Sequence, residues 1–316
     1  MTASVLTSVI VPSYRGEAKL RTLLPALAAQ DAAMGSFEVV VVIDGLLDDS
    51  PSVVAQAAAQ GLAVRTVVHE ENRGRVPALN PGFKAAQGEV LIRCDDDLEP
   101  APDYVSGHVA RHRAAAQPVG VVGIYLDRLP RSRYSTVYGS PREARLREGA
   151  YVGEVPTWRY WAGNCSVTRA TSRRVGGYDT TYTHYGWEDV DYGFRLHEAG
   201  VRVVLAPELE TVHHGAATST LSRTLRAYHS GAARTTFEGL HPGVLSSPSA
   251  GAGWWGALVS AATRLSSENR YEQAAALIDR TLPYVPSAVA EKLVALAVES
   301  ASLAGYAHAD TVSARF

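Results

Sequence analysis

Two hydrophobic periods alternate along the first hundred residues. Short β-branched runs at 8–14 (SVIVPSY), 37–44 (FEVVVVID), 63–69 (AVRTVVH) and 89–95 (EVLIRCD) read as strands. Between them the spacing turns helical. The segment 19–30 places Leu20, Leu23, Leu24 and Leu27 on one face, with Pro25 as a blemish. The segment 50–60 reads as a helix with Ser50 as N-cap and Pro51 at its first position. The segment 76–88 reads as a helix closed by Gly88. The unbroken run at 37–44 marks a strand covered on both faces. The βαβαβαβ order therefore predicts an α/β fold with a mainly parallel sheet and flanking helices.

Beyond residue 100 the pattern loosens. A helix is expected at 104–115 and a strand at 119–126. The segment 131–154 is polar and weakly periodic, and reads as a mobile loop or an excursion that shapes a pocket. Residues 161–207 are dense in polar and aromatic side chains, and 255–310 are Ala-rich and helical. The composition shift places a boundary near 216, dividing the chain into 1–215 and a helical extension, 216–316. No internal repeat is seen.

Composition narrows the class. The 316 residues are 46% hydrophobic and 20% charged, with a formal net charge of −2, which gives no case for a nucleic-acid partner. Cys94 and Cys165 fit no metal spacing and read as buried thiols in a reducing compartment. The N-terminus lacks a basic region ahead of its apolar run, and nothing approaches the roughly 18 apolar residues of a spanning helix. The expectation is a cytoplasmic protein without a transmembrane segment.

Open parallel sheets bind ligands at the carboxyl ends of their strands. The first strand ends in Pro12, Ser13, Tyr14 and Arg15, the second in Asp44, and the fourth in Asp95, Asp96 and Asp97. No GxGxxG follows the first strand, so a dinucleotide fingerprint is absent. Adjacent carboxylates repel, and a divalent cation reverses that repulsion. In an extended segment Asp95 and Asp97 would converge while Asp96 points elsewhere. A solvated acidic turn is the plainer alternative.

Two further clusters stand out. Glu188, Asp189 and Asp191 open a helix that ends at Gly200, where the helix dipole alone favours acidic residues. Asp191 and Arg195 are spaced for an i,i+4 pair. Trp187 and Tyr185 stand beside them, and an aromatic face next to a carboxylate suits a sugar, although core packing explains Trp187 equally well. His213 and His214 follow a strand-like run, and extended geometry lets at most one of them join a site.

In order and spacing, VIVPSY, VVVIDG, ENRGRVPALNPGFKAAQGE, DDDLEP, GGYDTTYTHYGWEDVDYGFRL and VHHG resemble the family 2 glycosyltransferases of GT-A fold, over residues 8 to about 215. The last two segments resemble bacterial chondroitin polymerases and related galactosyl- and N-acetylgalactosaminyltransferases. The resemblance implies a metal-dependent, inverting transfer of a sugar from a nucleotide-diphosphate donor, expected to be a UDP-sugar. The acceptor is a hydroxyl of a glycan, natural product or peptide. Pro12, Tyr14, Arg15 and Asp44 are then expected at the nucleoside, with Asn72, Arg75 and Asp96 also on the donor nucleotide. Asp95 and Asp97 match a DxD motif, with Asp97 the direct ligand of Mn²⁺ or Mg²⁺, Asp95 at the ribose or metal shell, and His213 the further ligand. Asp189 matches the catalytic base and Glu188 its substrate-binding neighbour. Trp187, Tyr185, Trp161 and Asn164 are expected to line the sugar and acceptor subsites. The C-terminal helices are expected either to pair subunits or to cover the acceptor groove. Two other classes remain: a catalytically silent sugar-nucleotide or glycan-binding module, which need not keep this full set, and a nucleotidyltransferase, which usually carries a Gly-rich signature near its first strand.

Overall fold

A computed structural model describes residues 7–32, 36–264 and 267–312. The first six residues of the N-terminal stretch read above, and residues 265–266 of the Ala-rich region, lie outside it. The first half alternates as expected: β1 (Thr7–Ser13), α1 (Glu17–Ala28), β2 (Phe37–Asp44), α2 (Ser50–Ala59), β3 (Val64–His69), α3 (Arg75–Ala85) and β4 (Val90–Cys94). There follow β5 (Leu98–Glu99), α4 (Tyr104–Ala114), β6 (Val119–Val122), β7 (Tyr125–Asp127), α5 (Ser140–Val152), β8 (Asn164–Thr168), α6 (Arg169–Val175), α7 (Glu188–Glu198), β9 (Arg202–Leu205) and β10 (Thr211–His213). The chain continues through α8 (Thr220–Leu240), α9 (Gly253–Thr263), α10 (Glu268–Thr281) and α11 (Ser287–Ala307).

Seven strands form the main sheet in the order β3-β2-β1-β4-β8-β6-β9. All its pairs are parallel except those of β8, which runs against β4 and β6. Every residue of β2 is buried, as a strand covered on both faces requires. Leu20, Leu23, Leu24 and Leu27 of α1 are buried against this sheet. Each contributes roughly 1.5–3 kcal/mol. Together they outweigh the cost of about 3 kcal/mol for a proline inside a helix, which is why Pro25 does not break α1.

Several sequence readings are corrected. Helix α2 begins one residue too early for a Ser50 cap: Asp49 takes the N-cap position, and the Asp48 carboxylate accepts from the Ser50 amide at 3.1 Å. Gly88 does not close α3. It lies against β1, where a Cβ would sit 2.4 Å from the Thr7 carbonyl carbon. The expected strand at 119–126 is two strands. Gly123 turns the chain where the Leu209 carbonyl leaves no room for a side chain, and β7 passes into a second sheet, β5-β10-β7. The segment 131–154 is helical rather than a loop, with a π-helical turn at Ser135–Gly139 leading into α5. Its Tyr134, Val137 and Tyr138 bury against Leu282, Ala290 and Val294 of the C-terminal region. Among the described residues no helix is long and apolar enough to cross a membrane.

The small sheet positions the site. β10 pairs with β7 in parallel and with β5 antiparallel, bringing His213 opposite both Asp127 and Leu98. Helix α8 closes the opposite flank: Phe237 lies in one apolar cluster with Trp158, Phe194 and Trp187.

Candidate active site

Three segments meet at the carboxyl ends of the parallel strands. The first is the acidic run after β4. It is a tight turn rather than extended chain, closed by the Leu98 amide donating to the Asp95 carbonyl at 3.2 Å. The turn sends the three carboxylates to three different partners, so the expected convergence of Asp95 and Asp97 gives way to a division of tasks. Asp95 accepts from Arg93 through both oxygens, Nε at 2.8 Å and Nη2 at 3.2 Å. Asp96 is buried and turns back to the Ser13 hydroxyl and the Lys19 ammonium, at 2.8 and 2.9 Å. It pins the turn to β1 and α1. Asp97 faces His213, with 3.5 Å between Oδ1 and Nε2.

Pro12, Tyr14, Asp44, Asn72, Arg75, Asp95, Asp96 and Asp97 line one cleft. Asp44 shapes it indirectly. Its carboxylate accepts from the Arg73 and Gly74 amides, both at 2.9 Å, and contacts His69 at 3.0 Å, so it fixes the loop that carries Asn72 and Arg75. Arg15 sits at the rim with its guanidinium over the Tyr14 ring. Its φ of +46° is a left-handed conformation uncommon outside glycine.

The second segment is the start of α7. Glu188 is buried and Asp189 only slightly exposed. Asp189 is ion-paired with Arg93, which is itself completely buried. Burial alone would lower the Arg93 pKa, but Asp189 and Asp95 outweigh it and hold the guanidinium charged. Arg93 thus links the first aspartate of the acidic turn to the carboxylate on α7. The sequence reading missed this residue, because one Arg in a strand resembles an outward-facing polar position. Arg75, at the start of α3, completes the cluster: its guanidinium lies 3.9 Å from Asp95, 3.8 Å from Glu188 and 4.0 Å from Asp189. Burial, then the charge of Asp189, raises the Glu188 pKa despite both arginines, and its Oε2 has no hydrogen-bond partner. Glu188 and Arg75 also border an adjoining cavity with Thr180 and His184.

The third segment is β10. His213 is held between two carboxylates, with Nδ1 2.6 Å from Asp127, and its ring stacks on Tyr125 at 4.3 Å. His214 turns away to Glu99, at 2.9 Å. Burial would lower the His213 pKa, but the hydrogen bond to Asp127 and the facing Asp97 carboxylate raise it to about 9. Burial would likewise raise the Asp97 pKa, and His213 brings it down to about 2.

The Asp97–His213 pair fits a divalent cation. Asp97 Oδ1 is buried without a hydrogen-bond partner. Asp127 fixes the imidazole from its far nitrogen, as carboxylates do for metal-binding histidines. Gly215 keeps the space between them open, since a Cβ there would lie 2.0 Å from Asp97 Oδ2 and 2.6 Å from His213 Nε2. No group of three His, Cys, Asp or Glu residues suited to a metal occurs among the described residues. With both oxygens on Arg93, Asp95 does not join the pair as a third ligand.

Two expected sugar contacts are corrected. Trp161 is buried, stacked on Tyr192 with its N–H donating to the Tyr178 hydroxyl at 3.1 Å. Asn164 is buried too, donating to the Leu209 carbonyl and the Thr211 hydroxyl at 2.8 and 3.0 Å. Trp187 is half-buried: its ring packs on Phe237 and its N–H donates to Ser230 at 3.2 Å, so it braces α8. Tyr185 stands between Arg75 and Arg226, each 5.7 Å from its ring.

The sequence profile described as Glycosyl transferase family 2 matches residues 8–171, more than half of the chain, and the chain belongs to that family. A second profile, described as the N-terminal domain of galactosyltransferase, matches residues 149–217. The validoxylamine A glucosyltransferase of Streptomyces hygroscopicus subsp. jinggangensis is 30% identical over 231 residues, covering 64% of this chain and 54% of the relative. An uncharacterized glycosyltransferase of Bacillus subtilis, YfnE, is 26% identical, covering 65% of this chain and 64% of the relative. The chain spans about half to two thirds of the length of these relatives. These relatives do not show the expected resemblance to chondroitin polymerases.

Among solved structures, the Pyrobaculum calidifontis mannosyltransferase PcManGT, in complex with GDP-Man and Mn²⁺, superposes with a TM-score of 0.64 at 22% identity, covering 93% of this chain and 85% of that one. Staphylococcus aureus TarS 1-349, in complex with UDP-GlcNAc, gives 0.53 at 16% identity, covering 93% of this chain and 90% of that one. The fold is GT-A.

Proposed function

We propose that the chain is a metal-dependent, inverting glycosyltransferase that moves a sugar from a nucleotide-diphosphate donor, a UDP-sugar, to a hydroxyl acceptor. The observation that carries this reading is the meeting of the Asp97–His213 pair, Arg75 and Asp189 around one cleft at the strand ends. Residues 1–215 would form the catalytic unit, with 216–316 bracing it. The galactosyltransferase profile over 149–217 supports a site of the galactosyl- and N-acetylgalactosaminyltransferase kind on α7.

Pro12, Tyr14 and the Asp44-held loop would receive the nucleoside. Asp97 and His213 would hold Mn²⁺ or Mg²⁺, which when bound supplies positive charge to the donor diphosphate. Arg75 adds a fixed cation beside the leaving group. Glu188, neutral through burial, donates a hydrogen bond to a sugar hydroxyl from the adjoining cavity. Asp189 takes the proton of the acceptor hydroxyl as that oxygen attacks the anomeric carbon opposite the departing diphosphate. Arg93 fixes one Asp189 oxygen and leaves the other for the proton. A donor panel with Mn²⁺ and no acceptor, followed by nucleotide diphosphate release, tests the reading. Slow release from one nucleotide sugar is expected. Release from none, with no binding of any nucleoside diphosphate, would overturn it.

Two further outcomes test the cation site. An imidazole nitrogen favours Mn²⁺ over Mg²⁺. His213→Ala should therefore raise the Mn²⁺ concentration for half-saturation by about tenfold or more, on the scale of one lost protein ligand or its support. His214→Ala should leave it unchanged. Mn²⁺ binding by calorimetry decides, and equal values in both variants and the parent would exclude His213. The proton on His213 must also leave before Nε2 can bind a metal. With its metal-free pKa at about 9, Mn²⁺ affinity should rise with pH from 6 toward 9 and level off above. A flat profile would show that His213 is not displaced from its proton.

A further inference from the structure

A third cavity lies beside Tyr185. One face of α8 lines it: Arg223, Arg226, Ser230 and Arg234 recur at helical spacing. Tyr185 lines it as well, and its ring is contacted both by Arg226 and by Arg75 of the donor cleft. The charges facing the cavity do not balance. Arg234 is matched by Glu238, at 2.7 Å. Among the described residues the one carboxylate in the lining, Glu299 of α11, is held by the Trp255 N–H at 2.9 Å. Among the described residues neither Arg223 nor Arg226 has a carboxylate at ion-pair distance. Arg223 Nε is buried without a hydrogen-bond partner. Its surroundings relieve it only in part: burial, then the charge of Arg142, pushes the Arg223 guanidinium below its ordinary pKa, and Tyr138, Tyr134 and Glu143 offset this without reversing it. A guanidinium nitrogen buried without an acceptor is costly unless a ligand supplies one.

We infer that this cavity binds an oxyanion, a phosphate or carboxylate carried by the acceptor, and so selects acceptors that bear a negative group near the attacking hydroxyl. The inference rests on the transferase reading for the word acceptor, while anion binding stands on the cavity itself. Planar guanidinium forks match both oxyanions in geometry. The position suits an acceptor, because a molecule seated on Arg223 and Arg226 reaches past Tyr185 toward Arg75 and Asp189.

The test has two arms. First, inorganic phosphate is titrated by calorimetry into the metal-free protein at ionic strength held constant with chloride. Saturable binding is expected. Arg226→Gln should weaken it at least about tenfold, the scale of one lost charge-assisted hydrogen bond, and Arg223→Gln likewise. Arg75→Gln, in the donor cleft, should leave it unchanged. Absence of saturable binding, or binding that falls with Arg75→Gln and not with Arg226→Gln, overturns the proposal. Circular dichroism of each variant separates lost binding from lost fold, and Arg226 alone decides if Arg223→Gln does not fold.

Second, methyl glucoside, methyl glucuronide and methyl glucoside 6-phosphate are compared as acceptors. The charged pair distinguishes carboxylate from phosphate. A lower KM for a charged member, erased by Arg226→Gln, supports the proposal; a neutral acceptor used equally well overturns it. Donor hydrolysis without acceptor is measured in the same variants. If no nucleotide sugar is hydrolysed and no nucleoside diphosphate binds, while phosphate binding still depends on Arg226, the transferase reading fails and the anion site stands.

Discussion

Asp189→Asn is expected to lower turnover by about 10²–10⁴, the usual contribution of a positioned general base. Asparagine keeps the size of the side chain and can still accept a hydrogen bond from Arg93, but it cannot take a proton. Nucleotide diphosphate binding should change little, since the side chains that line the donor cleft are untouched. The substitution also removes one of two charges that neutralise a completely buried guanidinium. A stability loss of about 1–3 kcal/mol is therefore expected, on the scale of a hydrogen bond to a charged group. Single-turnover kinetics at saturating donor, with urea unfolding alongside, separate the two effects. Near-normal turnover in a folded variant would remove Asp189 as the base and bring Glu188 forward.

Legibility of the fold followed the density of local signal. β1 and β2 stand out because unbroken Val/Ile runs have few other uses, and α1 because four leucines share a face. The segment 131–154 did not, because its helical state depends on Tyr134 and Tyr138 packing against residues near 290, and a distant partner leaves no local period. The site was legible as a set of residues and less so as a geometry. The acidic triplet could be picked out from its place after a strand, yet the Asp95–Leu98 turn, which separates the three carboxylates, is a backbone hydrogen bond no side-chain pattern announces. Trp161 and Asn164 show the reverse error: residue types suited to sugar contact are equally suited to a buried stack and a buried amide clamp. Gly215 had a faint signal, a glycine straight after the histidine pair, but its purpose is visible only where Asp97 and His213 close around it.

Arg93 carries the other large effect. Arg93→Met is expected to cost about 3–5 kcal/mol of stability, because removing one partner of a buried ion pair strands the other. Here it strands two carboxylates, Asp95 and Asp189, with Arg75 some 4 Å away as their remaining cation. Arg93→Lys should behave differently. An ammonium keeps the charge, so most of the stability should survive, but a single point donor cannot hold Asp95 through both oxygens and Asp189 at once. Asp189 then loses its fixed orientation and the acidic turn loses its anchor to α7. Turnover should fall by at least about tenfold, since a displacement of an ångström or so can cost up to 10²-fold. The two readouts move apart: urea midpoint for the methionine variant, turnover at saturating donor for the lysine variant. A methionine variant that unfolds at the parent's midpoint would mean that Asp95 and Asp189 are neutralised elsewhere. A lysine variant with full turnover would mean that Arg93 supplies charge alone, and that the coupling of the donor aspartate to the base has no part in the reaction.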